Sequence, residues 1–404
     1  MELVVNILIL IVSIHYSFRN PTIFVCFHIL YHTQFLGFIP TELLIGGVDY
    51  GSFTITMSML LPLCIKGKWE REVDKITLCS ICFITFFILY GFLKPVGDGT
   101  QPLLMGIKAG KSFLSYIFFF YLLLFRKHID FRRVFDCILA ISILFSILYV
   151  INFIGLRLVP TYYVKNDFIQ CKYDSFLVFS IVILIYRGIN NIKVIYFLPT
   201  IILLFLGICI GGYFSLMVTT ALILLFTPLY KKAFSTKEIL FFGCVFCFYL
   251  LVCYIIIEQT DWYNHLQQSQ SNSLLSRERY NQFRWNLIKQ HLYWGWGFLY
   301  KATSIMKSLS SIQYMETFSF IDSGYVDLFG RFGIMGTVLF LLYPAYLIIK
   351  SLPYRSLFPF TFFIFQLLCV NYTWAVFSFP MGIIVLALAY TYMITYMYNN
   401  LSNE

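Results

Sequence analysis

The sequence predicts an all-α, polytopic integral membrane protein with about 12–13 spans and one large outer loop. Three observations predict it. Of 404 residues, 60% are hydrophobic and only 12% are charged, with a mean hydropathy of +0.80. A soluble domain averages about 45–50% apolar and about 25% charged residues, and at this size it could not keep so much apolar surface from water. The apolar residues also fall into long runs, and the Lys and Arg residues cluster between those runs. This excludes a cytosolic globular enzyme, a disordered chain and a secreted disulfide scaffold.

The runs lie at 3–17, 22–39, 46–65, 76–93, 108–125, 134–156, 174–186, 194–210, 212–230, 239–257, 333–349, 356–372 and 375–398. The first follows Met1-Glu2, which offers no positive segment of the kind that opens a signal peptide. His15, His28, His32 and Gln34 interrupt the first two, and Gly46-Gly47-Val48-Asp49 opens the third. The fourth and tenth contain Cys79-x-x-Cys82 and Cys244-x-x-Cys247. No His or acid at ligand spacing accompanies either, so these thiols read as small hydrophobes rather than as a metal site or disulfide framework. The sixth run follows Arg132-Arg133 and carries Asp136 one turn in, where a local pair with those arginines is expected. The chain has few charges inside its runs, and the sequence has no sign of the inverted repeat that builds many transporters.

The net charge of +10 belongs to membrane orientation rather than to nucleic-acid binding. Loops 18–21, 66–75, 126–133, 187–193, 231–237 and 350–355 hold sixteen Lys and Arg, whereas 40–50, 94–111, 157–173, 211 and 373–374 hold six. The first set is therefore expected in the cytoplasm. Alternation then places 258–332 outside, which divides the chain into a membrane domain at 1–257, an outer loop at 258–332 and C-terminal spans at 333–404.

The outer loop is the polar exception and the expected catalytic region. Gln267 to Ser273 is a polar lead-in, and Leu274 to Leu292 contains no Gly or Pro and is rich in helix formers. On that helix Arg277, Arg284 and His291 are seven apart and share one face. Arginine offers two parallel hydrogen bonds to phosphate and stays charged. Such a row suits a lipid-linked phosphate, or else is a solvated face paired with Glu278 and water. Tyr293-Trp294-Gly295-Trp296-Gly297-Phe298 then ends the helix, with glycines for tight turns and aromatics suited to a membrane interface. Asp322, in Phe320-Ile321-Asp322-Ser323-Gly324-Tyr325, is a candidate proton acceptor near a low-dielectric boundary. Its alternative is the N-cap of a helix starting near Gly324. Glu316 and Asp327 are weaker candidates, and His265 and His291 read as surface hydrogen-bonding residues. The sequence contains no Walker loop, no G-x-S-x-G, no H-E-x-x-H and no Gly-rich dinucleotide turn.

Arg279-x3-Phe283, Trp285 and Gly295-Trp296-Gly297 resemble the outer loop of the O-antigen polymerase and ligase superfamily, and Arg284-x10-Gly295 is similar to a pattern of the polymerases. Asp322-x2-Tyr325-x7-Gly333-x2-Gly336 resembles the family's second block, in which ligases usually carry His-Asn where this chain has Asp322-Ser323. The motifs cover about 277–336, and the layout of spans covers nearly the whole chain. One departure is the absence of an Arg in Gly211-Gly212-Tyr213-Phe214-Ser215, where relatives often have Ser-Arg; Arg157 or Lys165 could stand in for it.

The resemblance implies a multi-pass glycosyltransferase of the cell inner membrane, needing neither metal nor cofactor. It would join polyprenyl-pyrophosphate-linked oligosaccharide repeat units into a lipopolysaccharide O-antigen or capsule, alongside a flippase and a chain-length regulator. Asp322, Arg279 and Arg284 would be catalytic, and Arg277, Tyr325, Trp294, Trp296, Gly295 and Gly297 would bind substrate. The alternatives are an O-antigen ligase and, in a different class, a flippase or transporter of the lipid-linked oligosaccharide.

Overall fold

The computed structural model describes residues 2–33, 44–45, 48–65, 73–154, 162–165, 168–171, 174–191, 198–211, 214–230, 236–259, 284–300, 303, 323–372 and 375–401. They form an all-α polytopic membrane protein. The helices are α1 (Glu2–Arg19), α2 (Pro21–His32), α3 (Tyr50–Ile65), α4 (Lys75–Gly97), α5 (Leu103–Gly110), α6 (Tyr116–Phe125), α7 (Phe131–Phe153), α8 (Asp174–Asn191), α9 (Leu198–Gly211), α10 (Phe214–Tyr230) and α11 (Thr236–Gln259). After these come α12 (284–290), α13 (Gly324–Ser351), α14 (Phe358–Val370) and α15 (Pro380–Leu401). A 3₁₀ turn at Lys111–Ser115 joins α5 to α6, so that Leu103–Phe125 acts as one span.

Five segments among the described residues are long and apolar enough to cross a membrane: Lys75–Gly97, Leu103–Phe125, Phe131–Asn152, Gly324–Ser351 and Pro380–Asn400. Each expected run overlaps a helix among the described residues. Two short antiparallel ribbons were not anticipated: β1 (Leu44–Ile45) with β2 (Val48–Asp49), and β3 (Tyr162–Lys165) with β4 (Phe168–Cys171). They lie in two loops expected to be outer.

Small and polar residues pack the helices. Between lipid-facing helices there is no hydrophobic drive to associate, so close approach and interhelical hydrogen bonds matter more. Gly207 of α9 lies against Ser146 of α7 with no room for a Cβ. Ser180 donates to Ser142 at 2.7 Å across α8 and α7. The Tyr392 hydroxyl meets that of Tyr186 across α15 and α8.

Loops assigned to one side by charge meet at one end of the bundle. Lys350 approaches Asp74 at 2.6 Å. Thr22 accepts from the Asp130 N–H at 2.9 Å. Arg187 pairs with Asp136 at 2.7 Å and donates to the Arg132 carbonyl at 3.3 Å. This corrects the expected local pairing of Asp136. The first-turn arginine Arg133 is instead held by the N-cap Asp130 at 3.2 Å, which leaves Asp136 to a partner from the neighbouring helix. The Cys79, Cys82, Cys244 and Cys247 thiols are exposed on the outside of their helices.

Asp74 caps α4 by accepting the Thr77 N–H at 2.9 Å. Burial pushes its carboxyl up, but hydrogen bonds from Lys350, Thr77 and Tyr346 outweigh burial and bring it down to about 2. A carboxyl lowered from 3.8 contributes stability above its unfolded value and loses it as pH falls toward 2. We expect Asp74→Asn, which keeps the cap, to cost about 1–2 kcal/mol at pH 7 after allowance for screening. The melting-temperature gap from wild type should close on titration from pH 5 to pH 2, and a gap that persists at pH 2 would contradict this account.

Candidate active site

The site is built where the chain from Arg284 onward returns to the bundle. The described part of helix α12 opens at Arg284, which is 2% exposed, and carries the buried Leu287 and Ile288. At its end Gly295 and Gly297 take positive φ, 69° and 72°. The chain there is threaded between α4 and α13, and two interrupted helices receive it.

The first interruption is in α13. Gly333 has φ 63° and ψ −167°, a region open essentially only to glycine. The break frees carbonyls before it and N–H groups after it. In a bilayer each must find a partner inside the protein. The loop supplies them. Trp296 and Gly297 donate N–H groups to the Gly330 and Arg331 carbonyls at 2.8 and 2.9 Å. Ile334 and Met335 donate to the Leu292 and Tyr293 carbonyls at 2.9 and 3.2 Å.

The second interruption is in α4. Pro95 has no N–H, so the Gly91 carbonyl lacks its helical donor. The Phe298 N–H fills that place at 2.8 Å. Gln101 then clasps the strand from both sides, donating to the Phe298 carbonyl and accepting the Tyr300 N–H at 2.9 Å. A Cβ at Gly295 would meet the Arg331 carbonyl, and one at Gly297 the Gly91 carbonyl, so both glycines are needed for the approach as well as for the turn. Gly91 and Gly110 leave the space that the Phe298 ring fills.

Gly333→Ala should cost about 1–3 kcal/mol in backbone strain, and more from contact with the Tyr293 backbone. The expected readout is a lower melting temperature with faster amide exchange at 292–298. Unchanged exchange there would mean that the loop does not depend on the break.

A buried ion pair lies beneath the loop. Asp327 is 0% and Arg331 7% exposed, one turn apart on α13. Arg331 Nε donates to Asp327 Oδ1 at 2.8 Å, Ser378 donates to the other carboxylate oxygen, and Arg331 Nη1 reaches the Ala109 carbonyl at 3.4 Å. The guanidinium lies against the Phe113 and Phe298 rings at 5.4 and 5.5 Å. Paired and bonded in this way, the charges tolerate burial. In the sequence Arg331 is only a loop charge and Asp327 a weaker proton-acceptor candidate, yet Asp-x3-Arg is the spacing of a helical pair. The helix that carries them begins at Gly324, so Gly333 is the break within it rather than its start.

The other expected residues fall in different places. Trp296 is 8% exposed, donates its indole N–H to the Leu287 carbonyl at 2.8 Å, and meets the His291 ring edge-on at 4.0 Å. Trp294 is 46% exposed, beside Phe87 and Tyr90 of α4. Tyr325 is half-buried and donates to the Leu368 carbonyl. Burial and the nearby Lys94 lower the His291 pKa, with Asp98 opposing. Helix α13 starts at Gly324 as expected, but Ser323 holds the N-cap position, without a capping hydrogen bond, and donates instead to the Tyr372 carbonyl at 3.2 Å. Asp322, Arg277 and Arg279, with Glu316 and His265, lie outside the described residues. Among the described residues, no three His, Cys, Asp or Glu side chains form a metal-holding group.

No protein-family model matches the chain, and no curated protein matches it.

Proposed function

We propose that the chain is a metal-independent membrane glycosyltransferase of the O-antigen polymerase kind. It joins polyprenyl-pyrophosphate-linked oligosaccharide repeat units into a surface polysaccharide, O-antigen or capsule, at the outer face of the cytoplasmic membrane. One observation carries the reading. The two sequence blocks behind the resemblance, around Gly295-Trp296-Gly297 and Tyr325 to Gly336, are hydrogen-bonded to one another across the break at Gly333.

In this reading a hydroxyl of the incoming unit attacks the anomeric carbon of the growing chain. The bond to pyrophosphate breaks, and the polyprenyl pyrophosphate leaves with the bonding electrons. Asp322, next to the anchored Ser323, takes the hydroxyl proton. Arg279 and Arg284, with Arg277 behind them, offset the charge gathering on the leaving group. Trp294 and Tyr325 border the sugar path, while Gly295, Trp296 and Gly297 hold the loop in place. A flippase and a chain-length regulator would act before and beside it.

The flippase reading finds less support. Broken helices do line transporter sites, where their free ends hold substrate. Around Gly333, however, the carbonyls of Gly330 and Arg331 and the N–H groups of Ile334 and Met335 are taken up by the loop. A ligase would be expected to carry His at 322.

Arg284→Ala should abolish long glycan chains at normal protein level. Arg284→Lys should rescue poorly, because an ammonium cannot bind two phosphate oxygens in parallel. Normal ladders from both Arg279→Ala and Arg284→Ala would contradict the assignment.

A further inference from the structure

We propose that Cys209 and Cys253 form a disulfide that joins α9 to α11 near the outer end of the bundle. Their sulfurs lie 3.6 Å apart, both thiols are buried, and the side chains come from different helices. Cys209 is in the last turn of α9, which ends at Gly211, and Cys253 is in the last two turns of α11, which ends at Gln259. Both ends face outward in the orientation set by the basic residues, and the inference rests on that orientation.

The sulfurs must close from 3.6 Å to about 2.05 Å. The chemistry is thiol–disulfide exchange with a disulfide oxidoreductase of the outer compartment. The Cys209 thiolate attacks the oxidant's disulfide, giving a mixed disulfide and one released thiol. The Cys253 thiolate then displaces the second sulfur. In total two thiol protons and two electrons leave this chain, and the oxidant leaves as a dithiol. Exchange takes place during insertion, before the helices close over the sulfurs.

The fold carries its own control. Cys26 and Cys137 also interact, across α2 and α7, as the sixth and seventh residues counted from the helix ends at Pro21 and Phe131. Those ends adjoin loops 18–21 and 126–133, which the charge count places in the cytoplasm, where thiols are kept reduced. One pair should therefore be oxidised and the other free.

The experiment uses the full chain in intact cells. Free thiols are trapped with N-ethylmaleimide during denaturation, disulfides are then reduced, and the released thiols are labelled with a heavy maleimide before peptide mass spectrometry. Heavy label on Cys209 and Cys253, with light label on Cys26 and Cys137, is expected. Cys209→Ser should return Cys253 to the light form. Light label on all four overturns the proposal. Heavy label on Cys26 and Cys137, with or without the other pair, overturns it too. If that label comes alone, it also reverses the orientation. Polymer formation is scored separately, so loss of the disulfide and loss of the glycosyltransferase reading are distinguishable.

Discussion

Asp322→Asn is expected to cut polymer formation by about 10²–10⁴-fold while leaving the protein level unchanged. A sugar hydroxyl is a poor nucleophile at neutral pH, and a carboxylate within hydrogen-bond reach removes its proton as the bond to carbon forms. Asn keeps the size and the acceptor oxygen of Asp but cannot take a proton. Loss of a helix cap would confuse the result, yet Ser323 holds the cap position of α13, so stability should change little. Quantifying polymer length and yield from the Asn variant, with an immunoblot for protein, checks this. Wild-type polymer would remove Asp322 from the chemistry and turn attention to Glu316.

Arg331→Met should be the most damaging single change to the fold, at about 3–5 kcal/mol. It leaves the Asp327 carboxylate buried with only Ser378 against it. It also withdraws the guanidinium from the Phe113 and Phe298 rings, which seat the loop. The double variant Asp327→Leu with Arg331→Met should recover much of the loss, because no unpaired charge remains. Melting temperatures of the four proteins in the cycle measure the coupling. Equal loss in the single and double variants would mean that the pair contributes packing alone.

Much of the membrane domain was legible in the sequence because a bilayer imposes one simple rule: long apolar runs bounded by charge. Helix α7 follows from Arg132-Arg133 and the run after them, and α4 from the run after Asp74 and Lys75. The turns at Gly295 and Gly297 were legible too, since aromatic residues flank glycines that must take positive φ. The ribbon β3–β4 could have been read from the β-prone runs Tyr162-Tyr163-Val164-Lys165 and Phe168-Ile169-Gln170-Cys171. The apolar bias of the flanking spans masked that signal. The contacts of Arg187 with Asp136 and of Gln101 with Phe298 join residues far apart in sequence, and no local pattern announces them. Gly333 opens the apolar run at 333–349, so it reads as the start of a span. Only the docked loop explains why the chain breaks there and continues.

The most direct test of the central claim is the surface glycan made by cells with and without this protein. Deletion should leave single repeat units at the cell surface in place of a ladder, and a plasmid copy should restore the ladder while Asp322→Asn and Arg284→Ala copies should not. Complete absence of the glycan from the surface would point to a flippase, and an unchanged ladder would contradict polymerisation by this chain.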